Sequence, residues 1–160
     1  MRKPQQGVFL IEALMGILIF SLGILSLVAI QTSAISAQSD AQYRIEAANL
    51  ADQILNQMWV SVNRTNAATI QASLVTFRHQ TDGAINSCVF SGTASGNALV
   101  TAWLGTITGG TTRLAGADAS MQQILVDTTA GNFNRVTVTL CWRASLDAAP
   151  RRHSVVTFIN

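Results

Sequence analysis

Residues 8–30 read VFLIEALMGILIFSLGILSLVAI, and this stretch decides the fold. Its 23 residues include one ionisable side chain, that of Glu12. A helix of this length rises about 34 Å, which is enough to cross a hydrocarbon layer of about 30 Å. The stretch therefore predicts a transmembrane helix near the start of the chain.

The residues that flank the apolar stretch predict its orientation. The heptapeptide MRKPQQG before it carries two positive side chains, Arg2 and Lys3, and the thirteen residues after it carry none. Since positive residues favour the cytoplasmic side of a membrane, the N-terminus is predicted in the cytoplasm and the rest of the chain outside it.

A secretory signal peptide and a plain single-span anchor are alternative interpretations of such a segment. A signal peptide should end in a small-residue cleavage site after the apolar run. Here residues 31–55 continue as QTSAISAQSDAQYRIEAANLADQIL, a helical pattern without a break. A plain anchor has no need of Glu12, because a carboxylate at the centre of a membrane helix costs about 2.5 to 3.5 kcal/mol. A shallow Glu12, favoured by the helix dipole by about 0.3 to 1 kcal/mol, keeps the anchor open as an alternative.

The helical pattern becomes amphipathic over residues 31–60. Apolar residues recur at helical spacing on one side, at Ala47, Leu50, Ala51, Ile54, Leu55 and Met58. Polar residues occupy the other side, at Glu46, Asn49, Asp52, Gln53 and Asn56. The pattern predicts one helix from residue 8 to about residue 58, surrounded by lipid at first and packed on a domain core later. A coiled-coil dimer is the alternative, but the stripe is too short for the sustained heptads that a coiled coil requires.

The start of the chain resembles the signal of type IV prepilins. A polar, basic leader ends in Gly7, and the apolar helix that follows has a glutamate, Glu12, at its fifth position. In that family a membrane peptidase cuts after the glycine and methylates the new N-terminal amine. The resemblance therefore implies a leader of residues 1–7, cleavage between Gly7 and Val8, and methylation at Val8.

The resemblance also implies a role for Glu12 in subunit assembly. Cleavage would create a positive amine at Val8, and in pilins the matching glutamate neutralises the amine of an adjacent subunit. Val8 and Glu12 are four positions apart, so pairing within one helix is an alternative that the sequence leaves open. Two departures from the family pattern stand out: Val8 replaces the usual phenylalanine, and Ala29 stands where major pilins commonly carry a proline.

The continuation of the helix, QTSAISAQ and then YRIEAANLADQILNQMW, resembles the PilV-type subgroup of minor pilins, also called type IV pilus modification proteins. The resemblance implies a protein of the bacterial inner membrane, with a periplasmic C-terminal domain, that enters a type IV pilus or primes its assembly. It implies roles in pilus biogenesis, twitching motility and adhesion. The expected partners are other major and minor pilins, the prepilin peptidase and the inner-membrane assembly platform. A minor pseudopilin of a type II secretion system and a DNA-binding subunit of a competence pilus are the alternatives.

The charge balance argues against nucleic acid as a partner. The chain has ten basic and eight acidic residues, and removal of Arg2 and Lys3 would leave eight of each. Apart from the doublet Arg151 and Arg152, the sequence has no basic cluster of the kind that binding to phosphates requires. That doublet is predicted to be a solvated strand end, with contact to a partner subunit as the alternative.

Residues 61–160 are predicted to form a β-rich globular region. Apolar residues alternate with polar ones in a half-buried strand pattern at Val136, Val138, Leu140 and Trp142. Residues 154–159 are β-branched and aromatic, so an antiparallel hairpin is predicted, with residues 124–127 as a third strand. The fold class is therefore α+β, a pilin-like architecture in which a long N-terminal helix packs on a small antiparallel sheet.

The middle of the globular region gives weaker signals. Residues 61–96 are rich in Asn, Thr, Ser and Ala, and they are predicted to be loops with one short strand. Residues 98–107 are predicted to be a short helix or a strand. The glycine-rich residues 105–110 are predicted to be a loop, with a turn at residues 109–112.

Cys88 and Cys141 are the only cysteines in the sequence. The predicted orientation places both in an oxidising compartment, so a disulfide is expected. Closing that loop would stabilise the domain by about 4 kcal/mol in the chain-entropy model. Two separate buried thiols are the alternative.

The sequence shows no pattern that would support catalysis. His79 and His153 are the only histidines, and with Asp82 they do not make a three- or four-ligand metal set. Both are predicted to be surface or structural residues. Neither a phosphate-binding glycine loop nor a nucleophile elbow occurs. We therefore expect no enzymatic activity, no cofactor and no metal.

Overall fold

The computed structural model describes residues 6–109, 114–145 and 147–160. The chain divides into an N-terminal unit that ends at Gln42 and a C-terminal unit, Tyr43–Asn160. The helices are α1 (Gln6–Ser61), α2 (Ala67–Val75) and α3 (Ala98–Gly109), with a 3-10 turn at Ala119–Met121. The strands are β1 (Asp82–Ala84), β2 (Val89–Ser91), β3 (Gln122–Asp127), β4 (Arg135–Trp142) and β5 (Arg151–Phe158).

The N-terminal unit contains the apolar part of α1, residues 8–30, and the polar helical residues that follow it up to Gln42. The helix is long and apolar enough to cross a membrane, and none of this apolar stretch is buried within the structure. Two hydroxyls interrupt the apolar surface, and both donate to carbonyls four residues earlier: Ser21 to Ile17 at 2.7 Å and Ser26 to Leu22 at 2.9 Å. Such internal bonds suit a segment without water around it, because each polar group there must find its partner inside the chain.

The predicted stripe on the second half of α1 is confirmed as the centre of the core. All six apolar residues of the stripe are buried in one cluster with the sheet and α3: Ala47, Leu50, Ala51, Ile54, Leu55 and Met58. Trp103 of α3 is also buried, and its indole N–H donates to the carbonyl of Leu50 at 2.8 Å. Burial of each large apolar side chain contributes about 1.5 to 3 kcal/mol, which makes this contact the main support of the unit.

The predicted three-stranded sheet is confirmed. The strand order is β3-β4-β5, with both pairs antiparallel, and Val138 lies opposite Ile124 and Val155. The inner face of the sheet, which packs on α1, carries the alternating apolar residues Val136, Val138, Leu140 and Trp142. The opposite side of the three strands is the outer face of the sheet.

The prediction for residues 61–96 was wrong, because this region contains a helix and two strands. Helix α2 is started by a capping box: the Asn66 side chain accepts from the N–H of Thr69, and the Thr69 hydroxyl accepts from the N–H of Asn66. Of its residues only Leu74 is buried, so the sequence lacks a strong periodic signal. Strands β1 and β2 form a small antiparallel hairpin.

The ambiguity at residues 98–107 resolves to a helix, α3. Its buried residues are Val100, Trp103, Leu104 and Ile107, the spacing of one helical face. The predicted loop at residues 105–110 was therefore wrong for 105–109. Gly105 lies on the exposed side of α3, where a glycine costs the helix about 1 kcal/mol relative to alanine but leaves the buried face intact. Residues 110–112 of the predicted turn lie outside the described residues.

The predicted disulfide between Cys88 and Cys141 is present, with the two Cα atoms 5.9 Å apart. Cys141 points from β4 to the outer face, and Cys88 is the last residue of the turn between β1 and β2. Both cysteines are buried in a small cluster with Phe90, against which Met121 packs. The bridge therefore fixes the hairpin over one end of the outer face.

The connection between β3 and β4 is organised by Asp127. Its carboxylate accepts from the hydroxyl of Thr129 at 2.6 Å, from the N–H of Thr129 at 3.0 Å and from the amide of Asn132 at 2.7 Å. Arg135 lies 3.5 Å from the same carboxylate. The Thr129 hydrogen bonds first, and then the positive charge of Arg135, hold the pKa of Asp127 below its usual range.

We expect that replacing both cysteines, Cys88→Ala with Cys141→Ala, lowers the free energy of unfolding of the C-terminal unit by about 4 kcal/mol. The reason is that the unfolded variant is no longer restricted by a cross-link between positions 53 residues apart. Denaturant unfolding of the full-length protein, followed by tryptophan fluorescence, measures the change. An unfolding midpoint equal to that of the wild type would contradict the structural role of the bridge.

We expect Asp127→Asn to lower the unfolding temperature slightly at neutral pH. The pKa of this carboxyl is lower in the folded chain, so its stabilising effect is present above the unfolded pKa of about 3.9 and is lost as the pH falls through the folded pKa. Melting curves of variant and wild type should differ near pH 7 and converge as the pH falls below the folded pKa of Asp127. A difference that persists in acid would mean that the ionised form is not what stabilises the turn.

Candidate functional site

Glu12 stands alone as a charged residue in the apolar part of α1. Its neighbours on the helix are large apolar side chains, all more than half exposed: Phe9, Leu10, Ile11, Leu14 and Met15. The next ionisable residue along the helix is Asp40, and the next positive side chain is Arg44. Residues 9–43 therefore offer Glu12 no positive side chain.

The predicted cleavage bond, between Gly7 and Val8, lies at the start of this helix. The structure extends α1 back to Gln6, so both residues have helical backbone. Residues 1–5 of the predicted leader lie outside the described residues. Val8 and Glu12 are one helical turn apart, about 6 Å along the axis, so an amine at Val8 would lie within one helical turn of Glu12 in the same chain.

The surface around Glu12 is apolar on every side of the helix. Residues Phe9 to Ile30 expose Leu, Ile, Phe, Val and Met side chains around the full circumference, and none of them is buried. A helix of this kind is stable only when lipid or other helices cover it. The N-terminal unit can therefore insert into a membrane as a single span, and it also offers a surface on which similar helices can pack.

His79 is the buried histidine, and its role is structural. The backbone N–H of Ser95 donates to Nδ1 at 3.1 Å, which leaves Nε2 to donate to the carbonyl of Ala119 at 3.1 Å. The ring thereby connects the loop at Ser95 and the 3-10 turn at Ala119 to His79, whose backbone pairs with Ile124 of β3. Asp82 is exposed in β1, and within the described ranges no group of three or more potential metal ligands occurs.

The basic doublet at the start of β5 makes contacts within the chain. Arg151 forms two bonds with the Asp147 carboxylate, at 3.1 and 3.0 Å, and these bonds lower the pKa of Asp147. The guanidinium of Arg152 contacts the side-chain oxygen of Asn86 in the β1–β2 hairpin. The prediction of a merely solvated strand end was therefore incomplete, because both arginines brace neighbouring loops.

One feature of the C-terminal unit had no signal in the sequence. Arg78 and Arg135 are far apart along the chain, yet both line a single groove beside strand β3. Neither belongs to a motif, and only the path of the chain after α2 brings them together. Comparison of charge patterns along the sequence would not have found this pair.

Comparisons with known proteins add no relationship to these observations. No protein-family model matches the chain, and neither a curated protein nor a solved structure matches it. The sequence features of α1, the geometry of the C-terminal unit and their chemistry are therefore the basis for assigning a function.

Proposed function

We propose that this protein is a minor pilin of the PilV type, which enters a type IV pilus or primes its assembly and so supports biogenesis, twitching motility and adhesion. The observation that carries the proposal is Glu12, a single carboxylate at the fifth position after Gly7 in a helix that is otherwise apolar from residue 8 to residue 30. The architecture of the C-terminal unit, a helix packed on a small antiparallel sheet, is consistent with it.

Electrostatics gives Glu12 a purpose in this proposal. A carboxylate in a membrane helix costs about 2.5 to 3.5 kcal/mol at the bilayer centre, and a simple anchor gains nothing in return. If the chain is cut after Gly7, the new amine of Val8 is a positive group that requires a partner when helices pack together. A Glu12 carboxylate would supply that partner, and the attraction between the two charges would offset part of the penalty of burying them.

The apolar surface of α1 fits two successive environments. Lipid would cover residues 9–30 before assembly, when the protein is in the inner membrane with its N-terminus in the cytoplasm and its C-terminal unit in the periplasm. Helices of other pilins would cover the same surface in the filament. The disulfide between Cys88 and Cys141 supports export of the C-terminal unit, because such bridges persist in oxidising compartments.

We expect the mature protein to begin at Val8, with the apolar helix retained. Intact-mass measurement of protein extracted from membranes tests this, and an added methyl group at the new amine would appear in the same spectrum. A mature chain that starts after Ile30 would show that the segment is an ordinary signal peptide and would overturn the pilin assignment.

We expect Glu12→Gln to leave membrane insertion and cleavage intact but to reduce incorporation into pili at least about tenfold. The reason is that a positive amine would be buried without its counter-charge, a loss of about 3 to 5 kcal/mol for a well-buried pair. The measurement is the ratio of this protein in sheared pili to that in the membrane, at equal expression.

The matched control for this experiment is Asp52→Asn, which neutralises an exposed carboxylate on the same helix outside the apolar segment. Its ratio should equal that of the wild type. If Glu12→Gln behaves like the control, Glu12 is a residue of the first helical turn without a role in assembly. If wild-type protein co-purifies with a secretion complex and not with pili, the chain is a pseudopilin.

A further inference from the structure

A groove of about 670 Å³ opens beside strand β3 at the outer face of the sheet. One wall is the chain that follows α2, and the other includes the loop before α3; the floor is formed by β3 and β4. This outer-face groove is lined by, among others, Arg78, Thr81, Thr93, Asp127, Arg135 and Thr137. Its volume lies in the range of about 300 to 1,000 Å³ that is usual for sites of small ligands.

Arg78 provides a fixed positive charge at one side of the outer-face groove. Its Nε and Nη2 both donate to the carbonyl of Val126, at 3.1 and 2.7 Å, and this holds the guanidinium plane in place. Among the described residues, no carboxylate forms an ion pair with Arg78. A guanidinium has five N–H donors, so donors remain for an anion.

Arg135 provides the second positive charge, from the neighbouring strand. Its Nη2 lies 3.5 Å from Asp127, whose carboxylate is already engaged by shorter bonds from Thr129 and Asn132. Because Asp127 follows Val126 directly, the two guanidinium groups are anchored on consecutive residues of β3. Two arginines and one committed aspartate leave the groove with a net positive charge.

Threonines with unbonded hydroxyls also line the groove. They are Thr81, Thr93, Thr128 and Thr137, and none of their hydroxyls forms a hydrogen bond with the part of the chain that the structure describes. Each hydroxyl can donate one bond and accept two. The groove therefore offers groups that match a ligand with many hydroxyls and an anionic group.

The edge of β3 is closed to an extended peptide. His79 and Ile124 exchange two backbone hydrogen bonds, at 3.1 and 3.0 Å. The carbonyl of Val126 accepts from Arg78, and the carbonyl of Thr128 accepts from the Gln71 amide at 3.4 Å. An added strand would need these groups free. None of the described residues that line the groove is aromatic, so it also lacks the stacking surface that single-stranded nucleic acid uses.

We propose that the outer-face groove binds an acidic saccharide, with a sugar carboxylate paired to Arg78 and Arg135 and sugar hydroxyls bonded to the threonines. Arginine forks match carboxylates with two parallel bonds, and hydroxyl side chains match sugar hydroxyls in both directions. Such binding involves the C-terminal unit alone, and it is independent of whether the chain assembles into a pilus.

The test uses the full-length protein in detergent micelles and trigalacturonic acid as the probe, with calorimetry to measure binding. We expect saturable binding of this probe and none of maltotriose, a neutral trisaccharide. Arg135→Gln and Arg78→Gln should each weaken binding about tenfold or more, because each removes a charge-assisted hydrogen-bond pair. Thr93→Val should weaken it less, by several fold.

Arg152→Gln is the matched control, since Arg152 is an exposed arginine outside the outer-face groove, and its binding should equal that of the wild type. Melting curves identify any variant that fails to fold, and Arg135→Gln serves if Arg78→Gln is unstable. Failure of wild-type protein to bind the probe, or equal binding by the Arg78→Gln, Arg135→Gln double variant, would overturn the proposal. Equally tight binding of triglutamate would show a general anion site and overturn the assignment to saccharides.

Discussion

Contact between the apolar stripe of α1 and the inner face of the sheet is the interaction on which the C-terminal unit depends. The stripe from Ala47 to Met58 supplies one layer, and the alternating residues of β4 supply the other. The indole of Trp103 then ties α3 to the backbone of Leu50. Everything else in the unit, including α2 and the β1–β2 hairpin, is added around these two layers.

Buried amides of β3 connect both faces of the sheet to the neighbouring backbone. Gln122, opposite Leu140 on the inner face, is fully buried, and its amide bonds the backbone of Cys141 in both directions, at 3.0 and 3.1 Å. Gln123 donates to the carbonyl of Gln80 at 2.8 Å and so fixes the chain that precedes the hairpin. These bonds favour the observed arrangement of loops, because their loss would leave buried amide groups without partners; among the described residues the Gln123 Oε1 has none.

Periodicity explains which parts of the fold could be predicted from the sequence. Of the two candidate sites, one could be predicted and the other could not. The stripe of α1 and the strand from Val136 to Trp142 each bury one regular face, so the sequence shows a periodic pattern of apolar residues in both. Helix α2 buries only Leu74 and depends on capping bonds, which leave no periodic pattern. Glu12 could be identified because one charge in a long apolar run contradicts its surroundings. The pair Arg78 and Arg135 could not, because only the path of the chain between α2 and β3 brings these two residues together.

The serines of the apolar segment have a consequence for how that segment can travel. Ser21 and Ser26 each donate to a carbonyl of the preceding turn, so their hydroxyl donors need no partner outside the helix. If the segment moves from hydrocarbon into a bundle of helices, as we propose, its backbone and hydroxyl bonds stay unchanged. The difference in free energy between the two environments then arises from side-chain packing and from the surroundings of the Glu12 carboxylate.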